Sequence, residues 1–184
     1  MKAVLMSIQP KWCELIASGK KTVEVRKTKP KIAPPFKVYI YCTKDNTFAE
    51  KTLRGFDDNG KAIYYKANKG KVIGEFVCDR IIGLAPINQS DEDIEKQACL
   101  SREQIVKYLR GKGYGWHIAD LVIYERPREL GEFKRVCDGN CQSCQYAIWQ
   151  TNGWAYEPYI VDCKPITRPP QSWCYCEEVK RDGT

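Results

Sequence analysis

The chain has 184 residues and is 43% hydrophobic, which suits one domain with a substantial core and argues against two. It contains no apolar run of membrane-spanning length, and Met1 to Ile8 lacks the long apolar stretch of a signal peptide, so the sequence predicts a soluble, cytoplasmic protein with no membrane partner. The net charge of +7 is unevenly placed: residues 1–80 hold 17 Lys and Arg against 8 Asp and Glu, residues 81–184 hold 13 against 15.

Ala3 to Ile8 reads as a short apolar strand. Pro10 then suits the first turn of a helix, where its missing N–H is no loss; Trp12, Leu15 and Ile16 share one helical face, and Gly19 ends it. Thr22 to Arg26 alternates, so Thr22, Glu24 and Arg26 project from one strand face while Val23 and Val25 enter the core. After the prolines at 30, 34 and 35, Phe36 to Cys42 has strong strand character, with Lys37, Tyr39 and Tyr41 opposite Val38, Ile40 and Cys42.

Residues 44–70 are polar and contain Asp57-Asp58-Asn59-Gly60, which predicts an excursion carrying a β-hairpin. Lys71 to Ile82 reads as a returning strand. Ser101 is a candidate N-cap for a helix through Leu109 with Ile105, Tyr108 and Leu109 on one face, and His117 to Tyr124 reads as the next strand. Residues 131–165 carry four cysteines without clear periodicity and read as an insertion; Trp173 to Val179 supplies the last strand. These elements predict an α+β fold: one domain over 1–184, a small, partly closed β-barrel of about six strands with packed helices.

Between Lys20 and Lys37 seven side chains are basic and only Glu24 is acidic, a field that attracts phosphates if it adjoins a polar pocket and is otherwise a solvated surface. Within this stretch Gly19, Lys21, Glu24 and Arg26 form the pattern Gly-x-Lys-x-x-Glu-x-Arg. With Gln9-Pro10 and Trp12 upstream and Pro169-Pro170-Gln171-Ser172-Trp173 near the end, the chain resembles the ASCH family of the PUA-like superfamily. The resemblance implies a PUA-like barrel whose closing segment lies near the signature strand, so that Gln171, Ser172 and Trp173 share a cleft with Lys21, Glu24 and Arg26. It also implies binding of RNA or a modified nucleotide or nucleoside.

Glu24 between two cations stays ionised and can accept from a base amino or imino group, while Lys21 or Arg26 meets a phosphate or carbonyl; the alternative is an ordinary surface salt bridge. Lys20 and Thr22 flank this group. Ser7, Gln9 and Trp12 lie where the first strand turns into the helix, whose N-terminus can bind an anion, and Trp12 either stacks on a base or packs in the core. His117 is the single histidine, beside Gly115, and is either a proton-transfer group or a structural one.

As an enzyme the chain has Lys21, Glu24 and His117 as catalytic candidates. The family's amidohydrolases of acylated cytidine use a Lys, a Thr and a Glu; Lys21 matches the first, Glu24 stands where the threonine belongs, and Thr22 is two residues away. RNA cleavage, with Lys21 stabilising a phosphorane, His117 moving a proton and Arg26 holding the phosphate, is the other hydrolytic option. Binding without chemistry is the favoured expectation.

Cys137, Cys141 and Cys144, with Cys163 further on, have a spacing suited to a structural zinc, with Cys174 and Cys176 as alternates for the fourth position and a disulfide as the competitor. The insertion is also a candidate dock for a protein partner. Cys13, Cys42, Cys78 and Cys99 read as packing residues.

Overall fold

A computed structural model describes residues 1–44, 69–84, 93–136 and 164–179, together with the backbone of 52–56 and 62–66. In chain order the elements are β1 (Lys2–Ile8), α1 (Pro10–Ala17), β2 (Val23–Arg26), β3 (Phe36–Cys42), β4 (Thr52–Phe56), β5 (Ala62–Lys66), β6 (Val72–Cys78), β7 (Ile81–Gly83), α2 (Asp93–Ala98), α3 (Arg102–Leu109), β8 (Tyr114–His117), β9 (Ala119–Arg128) and β10 (Trp173–Glu177). A five-stranded sheet runs β10-β1-β3-β6-β9 and a three-stranded sheet runs β2-β8-β7, while β4 and β5 form an antiparallel hairpin. The turn proposed at Asp57–Gly60 lies outside the described residues.

β1 is apolar at every position from Ala3 to Met6 because both of its faces are covered. Val4, Met6 and Ile8 join Val38, Ile40, Cys13, Ile16 and Trp116 in one core, whereas Ala3 and Leu5 join Tyr39, Tyr41 and Phe133 in another on the opposite face. β1 pairs in parallel with β3, matching Val4 to Val38 and Ile8 to Cys42, and the crossover between them contains α1 and β2. A third core puts Val25 of β2 against Ile94 and Ala98 of α2 and Ile105 and Leu109 of α3.

The helix signals act as expected at two places. Gly19 takes the left-handed conformation, φ +70°, directly after α1, and its N–H bonds to the Ile16 carbonyl. Ser101 and Gln104 form a reciprocal capping box at the start of α3.

Three readings need correction. The predicted strand Lys71–Ile82 divides at Asp79 and Arg80 into β6 and β7, which belong to different sheets, and the predicted strand His117–Tyr124 begins one sheet too early: His117 ends β8, and β9 starts only at Ala119 after the break at Ile118. The helices include α2, which the sequence reading lacked. The expected PUA-like α+β architecture is present: the two larger sheets, eight strands between them, wrap a shared core as a twisted PUA-like barrel without one continuous closed ladder.

The flanks of the cysteine-rich segment are tied together. Phe133 and Ile166 are buried in one core, the Ile166 N–H donates to the Phe133 carbonyl (2.7 Å), and Lys134 bridges to Pro165. Cys137, Cys141, Cys144 and Cys163 lie outside the described residues. Among the described residues no helix is long and apolar enough to cross a membrane, and no group of three or more His, Cys, Asp and Glu is placed to hold a metal ion.

Candidate functional site

A cleft of about 530 Å³ opens where the end of β1, the start of α1, β2 and α3 converge. Its volume falls in the ordinary range for small-ligand sites. Ser7, Gln9, Trp12, Lys21, Glu24, Arg26 and Gln171, all sequence candidates, line it together.

The centre of the wall is a buried charge triad. Glu24 Oε2 is 3.4 Å from Lys21 Nζ, and Glu24 Oε1 is 3.0 Å from Arg26 Nη2. The side chains of Lys21, Glu24 and Arg26 are only 2%, 8% and 9% exposed, which rules out the surface salt bridge. Burial costs each ion several kcal/mol, so the triad stands only because other groups complete its hydrogen bonding.

Those groups come from distant parts of the chain. Lys21 Nζ donates to the Ala98 carbonyl at 2.6 Å, placing its charge at the C-terminal end of α2 where carbonyls lack helical partners. The same ammonium lies 5.1 Å from the centre of the Trp12 ring. Burial lowers the Lys21 pKa, and the Glu24 charge and hydrogen bond oppose that shift. Arg26 donates through Nη2 to the Ser7 carbonyl (2.7 Å) and through Nη1 to Ser172 Oγ (3.3 Å), while its Nε is buried without a hydrogen-bond partner.

The closing segment is fastened to β1 as well. Ser7 donates from its backbone N–H to the Ser172 carbonyl (2.9 Å) and from Oγ to the Pro170 carbonyl (2.6 Å). Gln171 therefore hangs over the cleft from a segment pinned on both sides.

The remaining candidates lie elsewhere. Lys20 is exposed and Thr22 half-buried, and neither lines the cleft. Ser172 touches the site through Arg26, whereas Trp173 packs beside Trp116 and donates from Nε1 to Thr28 Oγ1 (3.0 Å). His117 faces Asp79, Nδ1 to Oδ1 at 2.6 Å, away from the cleft lining. Gly115 brings β8 close to β2, since a Cβ there would sit 2.9 Å from Val23 Cγ1.

The cleft also contains Lys11, Thr43, Leu100, Gln104 and Tyr108, which the sequence reading did not select. Tyr108 was assigned to the apolar face of α3 but is 42% exposed. The capping box was the available signal for Gln104, because it fixes that side chain at the helix start. Gln104 Oε1 accepts from the Ser101 N–H, which leaves its amide NH₂ as the group able to donate into the cleft.

Two wrapped sheets with helices packed around a cleft at the signature strand define a PUA-like α+β domain. The chain belongs to the ASCH domain family, whose model matches residues 6–169, and that family is in general one of RNA-binding PUA-like domains. Its fold is similar to that of the ASCH protein of Zymomonas mobilis, with a TM-score of 0.56 and 20% identity over 96% of this chain and 88% of that one. A tyrosine-to-phenylalanine variant of that protein gives 0.57 and 19% over 97% and 92%, and a serine-to-alanine variant 0.56 and 18% over 96% and 89%. No curated protein matches the chain.

Proposed function

We propose that this ASCH domain binds RNA by taking one base or modified nucleoside into the cleft lined by Lys21, Glu24, Arg26 and Gln171. The buried triad beside Trp12 carries this reading. A carboxylate has about four lone-pair positions, so Glu24 retains capacity to accept from a base N–H after binding its two cations. The Gln104 amide supplies a donor on another wall, and Thr43 a hydroxyl.

Trp12 supplies a stacking surface. Lys11 Nζ lies 4.3 Å from its ring centre, and an exposed cation–π contact of this kind contributes about 0.5–1 kcal/mol. Base–aromatic stacking contributes about 1–3 kcal/mol, so an arriving base displaces the ammonium, which becomes free to meet the phosphate.

Binding without chemistry fits the state of Lys21: its donors already face Ala98, Glu24 and the Trp12 ring. One observation favours the hydrolase alternative, namely that burial lowers the pKa of an amine lining a cleft that also holds the Thr43 hydroxyl. Calorimetry with a panel of plain and acylated nucleosides, paired with mass spectrometry of the mixtures, separates the two. Micromolar binding lost in Glu24→Gln with no product supports the reader. A product that disappears in Lys21→Ala establishes the hydrolase instead, and absence of both binding and product refutes the cleft reading.

Cys137, Cys141, Cys144 and Cys163 are proposed as a structural zinc site on their spacing. About one zinc per chain by plasma mass spectrometry supports it and a zinc-free chain refutes it.

A further inference from the structure

We infer that the cleft is one end of a longer groove for a single-stranded polynucleotide, paved by the aromatic residues beneath Lys27 to Lys31. The inference rests on the cleft taking one nucleotide of that strand.

The exposed basic side chains near the cleft differ from those elsewhere that are held in ion pairs. Lys37, Lys71, Arg102 and Arg128 each face a carboxylate. Lys11, Lys20, Lys27, Lys29 and Lys31 are exposed and face none among the described residues. Uncompensated charge at this density attracts a polyanion.

The same stretch is laid on rings. Lys27 Nζ is 5.4 Å from the centre of Tyr108, which lines the cleft, and Lys29 Nζ is 5.4 Å from the centre of Tyr114. Between them Thr28 accepts the Trp173 indole N–H (3.0 Å), and the Lys31 backbone N–H donates to the Tyr175 hydroxyl (2.7 Å). Trp173 and Tyr175 are themselves in edge contact, centroids 5.5 Å apart. The segment from Lys27 to Lys31 therefore runs from the cleft over four partly exposed rings, with the Thr28 hydroxyl and the Lys31 backbone N–H anchoring it and the flexible lysines lying over Tyr108 and Tyr114.

Aromatic platforms interleaved with cations are the physical form of a single-strand site: bases stack on rings while lysines follow the phosphates. Paired bases in a duplex offer no free faces to such a row. RNA and single-stranded DNA share this chemistry.

The test uses the full chain and fluorescence anisotropy with a roughly twelve-nucleotide single strand, as RNA and as DNA, beside the matching duplex and a mononucleotide. Lys27→Glu/Lys29→Glu, with an unchanged melting temperature, is expected to weaken single-strand binding at least about tenfold and to flatten the plot of log affinity against log salt by about 1.4. Mononucleotide affinity stays within about twofold of the parent. Tyr108→Ala, on an exposed ring, provides a second variant with a loss of about five-fold or more. Binding of either polymer supports the groove, and the tighter one identifies it. A strand bound no better than the mononucleotide, a duplex bound as tightly as the single strand, or a double variant equal to the parent overturns the inference. Failure of the mononucleotide with the strand still dependent on Lys27 and Lys29 counts against the cleft and leaves the groove standing.

Discussion

Replacing Glu24 by Gln keeps the shape of the triad and removes its only negative charge. At an effective dielectric of about 20, ion contacts at 3.0 and 3.4 Å are each worth roughly 5 kcal/mol before desolvation is subtracted. Removing one partner of such a group costs about 3–5 kcal/mol, because the buried cations left behind have lost their counter-charge. Lys21→Met is expected to cost less, about 1–2 kcal/mol: it strands the Ala98 carbonyl but leaves Glu24 paired with Arg26. The double variant should be more stable than the sum of the singles by about 0.5–3 kcal/mol. The two variants also differ in pH dependence. Lys21 has a folded pKa below its ordinary value of 10.5, so the unfolded chain binds more protons between the two values and stability rises with pH there. Loss of Glu24 lowers the folded value further and widens that window, so the deficit of Glu24→Gln should shrink as pH is raised toward 10.5. Urea unfolding at several pH values measures each quantity. A cost for Glu24→Gln under about 1 kcal/mol, or no larger than that of Lys21→Met, refutes the buried triad as the organising charge of the site.

Gly74→Ala should destabilise by about 1–3 kcal/mol in urea, because a Cβ there would clash with the Val122 carbonyl oxygen of β9; a neutral result would contradict the close β6–β9 pairing. His117→Ala should leave nucleoside affinity within about twofold and cost under about 1 kcal/mol, since the His117 side chain is half-buried and, among the described residues, pairs with the more exposed Asp79; a large loss of turnover or binding would restore His117 to the site. Burial raises the thiols of Cys13, Cys78 and Cys176, with Cys78 reaching about 12, whereas Cys99 is partly exposed. Alkylation of the native protein followed by peptide mapping should therefore mark Cys99 and spare those three, and equal labelling of Cys78 would show that its surroundings are open.

The strongest local signals were read correctly where one residue decides a local conformation. Pro10, Gly19 and Ser101 fix helix ends through a missing N–H, a left-handed backbone and a side-chain cap, and each acts within a turn of its own position. The sheet boundaries were hidden because β6 and β7 read as one largely apolar run in which Asp79 and Arg80, at the change of sheet, stand out little more than Glu75 within β6, and periodicity contains no mark for a change of sheet. α2 was hidden for the opposite reason: Asp93–Ala98 is short and polar, and is held by burying Ile94 and Ala98. The signature pointed to the right strand, but the burial of Lys21 depends on a carbonyl 77 residues away, which no local pattern encodes.

The difference between the two kinds of cation in this chain bears on how the family signature should be read. The sequence presents Lys21 and Arg26 as groups that reach a phosphate, yet both are committed inside the molecule. Lys21 closes the end of α2, and Arg26 joins Glu24, Ser7 and Ser172 so that β1, β2 and the closing segment meet at one guanidinium. They hold Glu24, Trp12 and Gln171 around the cleft at fixed positions, and on the proposed reading that preorganisation lowers the ordering cost of binding. On the proposed reading, the charge offered to a polyanion resides on exposed lysines outside the signature, among them Lys11, Lys27 and Lys29, each of which lies over an aromatic ring. Selectivity should therefore follow substitutions at Glu24 and Gln104, and salt dependence those at Lys27 and Lys29. A substitution at Arg26 should disturb both, because the segment it clamps carries one wall of the cleft and leads into Trp173 and Tyr175.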